Sequence, residues 1–265
     1  MDATAAVAPA ARPDRTTARV VGLCLLVIVL DGFDMLVIAL TAPAIAADWA
    51  LPAQRLGPVF AVGIVGMIGG SVLIAPLGDR LGRVRVLMLC CALFGLFAGL
   101  TALASGYGWL LAPRFLTGLG LGGAVPNATA LISEHASARQ RPLLVSIGLV
   151  GFALGGMLCA ALAVPLLPHF GWRSLYVVGG VLPLLLIPVL WRYLPDTPGA
   201  GPTHRADEPR GVRRLLAPPF GADSQRLWLG FFVNMMVMFF LANWVPYLPA
   251  RPASRRDRAR SRRWR

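Results

Sequence analysis

An all-α polytopic membrane protein is the fold class that the sequence predicts, and three observations predict it. Mean hydropathy is +0.67, and 57% of the 265 residues are hydrophobic against 14% charged, which is more apolar surface than one soluble core can bury. Apolar residues fall in runs of roughly 20, the length that crosses about 30 Å of hydrocarbon at 1.5 Å per residue. The arginines gather in alternate gaps between those runs, as they do when positive loops stay on one side of a bilayer.

Spans are expected at 20–46, 58–77, 86–104, 109–132, 143–167, 175–194 and 227–248. An N-terminal segment, 1–19, brings Arg12, Arg15 and Arg19 to the first span, whose apolar run is too long for a signal peptide. The gap before span two holds Arg55. The turn from span two to span three holds Arg80, Arg83 and Arg85, and the gap after span three holds no arginine. Arg139 and Arg141 follow span four, and Arg173 precedes span six. Residues 195–226, rich in Pro, Gly and Arg, read as a cytoplasmic linker between a six-span unit, 20–194, and span seven. On the positive-inside rule the N-terminus is cytoplasmic. With its arginines placed between spans, the +13 net charge argues for a lipid bilayer and against nucleic acid as partner. Cys24, Cys90, Cys91 and Cys159 lie in apolar runs without CxxC spacing and read as packing thiols. His135, His169 and His204 are scattered, with no metal-ligand spacing and no nucleophile and base pair, so neither an enzyme nor a cofactor or metal site is expected.

Asp31 and Asp34 interrupt the middle of span one, where each costs about 2.5–3.5 kcal/mol on insertion scales. Three residues apart, they share a helix face that should point into the bundle. Either they form a buried structural ion pair or they serve a proton or substrate site, since a carboxylate in low dielectric can exchange a proton near neutral pH. Arg114 is the other charge deep in a span. At 1.5 Å per residue Asp34 lies about 21 Å from the cytoplasmic entry of span one and Arg114 about 20 Å from the same side. The two are level. Arg114 can bind a substrate carboxylate with Asp34 as its alternative partner, or the two can form a permanent bridge.

Span four carries Arg114, Gly118, Gly120, Gly122, Pro126 and Asn127, and the glycines at 118 and 122 let a neighbouring helix come close. Gly148, Gly151, Gly155 and Gly156 repeat the device on span five, as do Gly66 and Gly70 on span two. Between spans two and three, Asp79 with Arg80 and Arg83, flanked by Gly78 and Gly82, reads as a charge latch to another helix.

These residues resemble the major facilitator superfamily. The loop after span two is similar to its Gly-x-x-x-Asp-Arg-x-Gly-Arg-Arg signature, with Ala75 in place of the first Gly and Val84 in place of the last basic residue. Span four is similar to its Arg-x-x-x-Gly-x-Gly-x-Gly-x-x-x-Pro pattern at Arg114, Gly118, Gly120, Gly122 and Pro126. Within the superfamily, Asp31-Gly32-Phe33-Asp34, the run 114–124, Pro126-Asn127 and Gly171-Trp172-Arg173-Ser174 resemble the aromatic acid:proton symporters. The resemblance implies the N-terminal six-helix half of that fold plus a seventh span, in a bacterial inner membrane. It also implies proton-driven uptake of a small aromatic carboxylate such as 4-hydroxybenzoate, with Asp31 and Asp34 coupling the proton, Arg114 and Asn127 binding substrate, and Asp79, Arg80 and Arg83 forming the latch. A non-transporting membrane protein is the alternative.

Residues 249–265 hold eight arginines on the side that should be outside, against the positive-inside rule. A carrier site between two six-helix halves also needs more than one half plus a helix. The expectation is that the stretch after Leu248 is aberrant and that the 265-residue chain alone transports nothing. Uptake by the purified chain in proteoliposomes, above empty vesicles, would count against it.

Overall fold

The computed structural model describes residues 14–194 and 221–244, and every element among them is helical. The chain divides into two units, Met1–Gly201 and Pro202–Arg265. The first contains α1 (Arg15–Asp48), a 3-10 turn (Ala53–Leu56), α2 (Gly57–Leu73), α3 (Leu77–Leu81), α4 (Arg83–Ala102), α5 (Tyr107–His135), α6 (Arg141–Phe170) and α7 (Arg173–Tyr193). The second contains α8 (Gly221–Trp244). Among the described residues α1, α4, α5, α6 and α7 are long and apolar enough to cross a membrane, while α2 has 17 residues.

Local chemistry sets the ends of these helices. Asp14 caps α1 by accepting a hydrogen bond from the Arg15 amide at 2.7 Å. At the other end Ala50 takes the left-handed conformation (φ 48°), and the Leu51 amide donates back to the Ala46 carbonyl at 2.9 Å. The expected second span, 58–77, stops at Leu73. Pro76 has no N–H to carry the ladder on, so Ile74, Ala75 and Pro76 form a turn and Leu77 opens α3. Gly82 follows with φ 97°, which a side-chain-bearing residue rarely adopts, and α4 starts beside it.

In the second unit α8 begins six residues before the expected span, so 221–226 is helix and not linker. Asp223 favours that start by placing negative charge in the first turn, 3.2 Å from Arg226. Of the expected N-terminal segment 1–19, residues 15–19 are the first turn of α1; residues 1–13, the linker over 195–220, the end of span seven at 245–248 and the tail 249–265 lie outside the described residues.

Four helix pairs make most of the first unit: α1 with α6, α2 with α5, α4 with α7, and α4 with α5. Exchanging the three-span set of α1, α2 and α4 for that of α5, α6 and α7 maps the first pair onto the second and the third onto itself. Those three pairs follow the contact pattern of a three-helix repeat used twice, whereas α4 with α5 is far more extensive than its counterpart, α7 with α1. Backbone contact joins each pair. A Cβ at Gly66, Gly70, Gly118 or Gly122 would overlap carbonyl oxygens across the α2–α5 seam, at Phe115, Leu119, Gly63 and Met67. Gly32 and Gly155 do the same between α1 and α6, and a Cβ at Gly180 would stand 2.7 Å from Gly99 Cα between α7 and α4. Gly120 points the other way, to Phe94 and Cys90 of α4. Pro126 is exposed and packs against none of these seams.

The apolar core falls into two clusters. One contains Val20 to Ile28 of α1 and Leu121 to Ile132 of α5; the other contains Phe33 to Ile45 of α1 and Leu110 of α5. Asp31, Asp34, Arg114 and Thr117 lie at the level where one cluster gives way to the other, and all four are buried. The four cysteines are buried and free. Ile64, Ile68, Val150, Leu154 and Met157 stand exposed, as side chains facing lipid do.

Because the α2–α5 seam has no room for a methyl group, Gly122→Ala should cost about 1–3 kcal/mol through overpacking. Gly69→Ala, whose nearest neighbour would be Leu119 Cδ2 at an ordinary 3.8 Å, should be silent. Unfolding midpoints of the two variants in detergent, against the parent, measure the difference.

Candidate substrate and proton site

Asp34 reaches the bundle interior because α1 turns the face carrying Asp31 and Asp34 inward; each is 1% exposed. Arg114, 5% exposed, meets Asp34 there. Arg114 Nη1 donates to Asp34 Oδ2 at 3.1 Å and to Oδ1 at 3.3 Å. One guanidinium nitrogen therefore serves the whole carboxylate, in place of a two-nitrogen fork. Nη2 lies toward α2, where a Cβ on Gly63 would be 3.9 Å from it. Arg114 also lines a cavity of about 70 Å³ together with Met35, Ile38, Phe60, Gly63, Ile64, Met67, Gly118 and Leu121.

Aromatic and hydroxyl groups surround the pair. The ring centroid of Tyr176 lies 5.9 Å from Arg114 Cζ, inside cation–π range. Its hydroxyl is 3.2 Å from Thr41 Oγ1, and Thr41 donates to the Val37 carbonyl at 2.7 Å. Edge contacts lead outward from Tyr176 to Trp172 at 5.9 Å and on to Trp49 at 5.5 Å. Trp172 Nε1 and Arg173 Nη1 both donate to Asp48 Oδ2, at 3.1 and 3.2 Å, and tie the start of α7 to the end of α1. Asp31 Oδ1, Arg114 Nε and Thr117 Oγ1 are buried and make no hydrogen bond to protein groups.

The latch residues form a separate network on the arginine-rich side. Arg83 pairs with Asp79 within its own turn, bonds Glu134 Oε1 through Nε at 3.1 Å, and donates from Nη1 to Asn127 Oδ1 at 3.4 Å. Arg83 makes the link to α5, while Arg80 is exposed and stands outside the network. Asn127 belongs here and not beside Arg114. Its amide donates to the Gly123 carbonyl at 2.8 Å and the Ala75 carbonyl at 3.3 Å, and a Cβ on Gly78 would overlap its Oδ1. The helical rise alone separates Asn127 from Arg114 by about 20 Å, so the sequence did carry a signal against grouping them.

Sequence reasoning passed over Tyr176, Thr41, Thr117 and Glu134. A tyrosine or threonine inside an apolar run is a weak signal, although a buried hydroxyl needs a partner. Glu134 looks like an ordinary charge near a helix end.

Breaking a buried pair leaves an uncompensated charge, at about 3–5 kcal/mol, whereas replacing both partners by apolar groups is often neutral. Asp34→Leu and Arg114→Leu should each lower the unfolding midpoint well below that of the double variant. A thermal double-mutant cycle in detergent tests this.

Comparisons with known proteins show the family and the fold. The sequence pattern of the Major Facilitator Superfamily matches residues 24–252. The chain is 36% identical over 262 residues to the 4-hydroxybenzoate transporter PcaK of Pseudomonas aeruginosa, covering 87% of this chain and 58% of that protein. It is 38% identical over 228 residues to the 3-(3-hydroxy-phenyl)propionate transporter of Escherichia coli, covering 86% and 56%. The chain thus spans a little over half the length of these relatives. In the inward open conformation of the xylose transporter XylE from E. coli the fold recurs with a TM-score of 0.60 at 20% identity, covering 88% of this chain and 57% of that one.

Proposed function

This chain belongs to the Major Facilitator Superfamily, and on that premise we propose that its helices carry the anion and proton site of a symporter for small aromatic carboxylates. One observation carries the reading. Arg114 is sunk among apolar helices with a single nitrogen engaged by Asp34, and its remaining face borders a cavity. A guanidinium so placed attracts a carboxylate, and the planar fork can grip one bidentately. Asp34 engages one nitrogen and leaves Nη2, on the α2 side, for a substrate carboxylate. The names of the relatives, transporters of 4-hydroxybenzoate and of a hydroxyphenylpropionate, support an aromatic acid as the anion.

Protonation supplies the coupling. Substrate arriving at Arg114 adds negative charge beside two buried carboxylates, and a carboxylate in low dielectric gains by taking up a proton. Proton and anion then enter together without net charge in the site. Asp31, one turn away on the same face, is the second carboxylate able to take part. On the arginine-rich side, Arg83 with Asp79, Glu134 and Asn127 holds the α3 turn against α5, a tie suited to a latch that opens and closes in alternating access. Positive-inside counting supports placing that side in the cytoplasm of a bacterial inner membrane.

In a full-length carrier containing these helices, Arg114→Lys should impair uptake of labelled 4-hydroxybenzoate although the charge is kept, because the planar fork is lost. Transport equal to the parent would reduce Arg114 to a structural role. Asp31→Asn and Asp34→Asn should each leave membrane insertion intact and abolish proton-driven accumulation. Normal uptake at normal expression in both would remove the carboxylates from the coupling.

A further inference from the structure

The ion pair uses Asp34 and leaves Asp31 unexplained. Asp31 Oδ1 is buried without a protein hydrogen-bond partner, and so is Thr117 Oγ1; both residues are essentially inaccessible, at 1% and 0% exposed. Buried polar atoms are nearly always bonded, so two orphans in one bundle ask for a shared partner.

The register of the helices brings the two together. Thr17 Oγ1 donates to the His135 carbonyl at 3.0 Å near one end, and Asp34 meets Arg114 further along, so α1 and α5 run antiparallel. Three residues back from Asp34 lies Asp31, and three residues on from Arg114 lies Thr117. Both steps run the same way along the bundle, toward the arginine-rich side, by about 4.5 Å. Asp31 and Thr117 therefore form a second rung below the ion pair, on the same two faces. Arg114 Nε is the third orphan. The other ionisable groups around the rung are Asp34 on α1, Arg114 on α5, Cys90 on α4 and Tyr176 on α7, while α6 presents Gly151 and Gly155 against the α1 backbone.

We propose that Asp31 and Thr117 share a bound water through which Asp31 takes and releases the transported proton, leaving Asp34 as the dedicated counter-ion of Arg114. This rests on the symporter reading above. The step balances simply: a hydronium at the water position gives its proton to the Asp31 carboxylate, leaving water and a neutral carboxyl group, and release is the reverse. Thr117 keeps its own proton and positions the water by donating to it or accepting from it. Thr117 is a positioning residue. The division explains why two carboxylates sit one turn apart: a group locked to an arginine is a poor proton carrier, and a free one beside a held water is a good one.

Infrared difference spectroscopy on the full chain in lipid nanodiscs, titrated from alkaline to acidic pH, tests the proposal. The parent should develop the C=O stretch of a buried protonated carboxyl group, at higher wavenumber than the water-exposed carboxyl groups that also protonate in acid. Asp31→Asn should abolish that band, and Asp34→Asn should keep it. Thr117→Val should move it to higher wavenumber, because a carboxyl group that loses a hydrogen bond stiffens, and Thr117→Ser should restore the parent position. If the valine variant does not fold, as judged by circular dichroism, Thr117→Ala takes its place. A band that survives in Asp31→Asn, one that vanishes in Asp34→Asn alone, or a Thr117 spectrum superimposable on the parent overturns the assignment. The symporter reading fails separately: an intact band beside a full-length carrier that takes up no aromatic carboxylate rejects the transport function and leaves the proton site standing.

Discussion

Two opposite charges that cannot reach water must reach each other, and the pairing of Asp34 with Arg114 is the constraint around which the first unit is arranged. Neither residue could be held alone at that depth without a cost of several kcal/mol. Satisfying both fixes the relative rotation and the relative height of α1 and α5, since a shift of one residue in either helix swings a side chain by 100° and 1.5 Å. The apolar clusters follow the same register, meeting at the level of the charged residues and covering them from both sides.

Close helix approach makes that register attainable. The α1–α6, α2–α5 and α4–α7 seams each place backbone against backbone at glycine, and the first two correspond under exchange of the three-helix sets. In lipid the hydrophobic effect gives little drive to bring helices together, so dispersion contacts over closely approaching backbones replace it. Gly63 and Gly118 serve twice in this scheme: they join α2 to α5 and also line the cavity beside Arg114.

Different chemistry closes the two ends of the bundle. On the arginine-rich side an ionic and amide network runs from Asp79 through Arg83 to Glu134 and Asn127. At the opposite end a single aspartate, Asp48, receives Trp172 and Arg173, and aromatic edges lead from there to Tyr176 and the guanidinium of Arg114. That path gives the buried site a packed connection to one surface. An ion network that can be broken and remade in water suits a gate better than a stack of aromatic rings does.

The sequence by itself determined the membrane class, the helices of the first unit, the depth at which Asp34 and Arg114 lie, and the turn glycines, because hydropathy, helical rise and backbone freedom are properties of a short stretch of chain. It also overreached in two ways. Span two was extended through Pro76, and Asn127 was grouped with Arg114 on motif adjacency although the rise along α5 separates them. Only the tertiary structure decided that Arg83 and not Arg80 carries the latch to α5, that Glu134 and Asn127 receive it, and that Tyr176 covers the guanidinium. Those are contacts between residues 44 to 62 positions apart, made by rotamers and helix rotations that no local pattern encodes, and they exist because packing brings the buried ion pair and the close backbone seams into register at once.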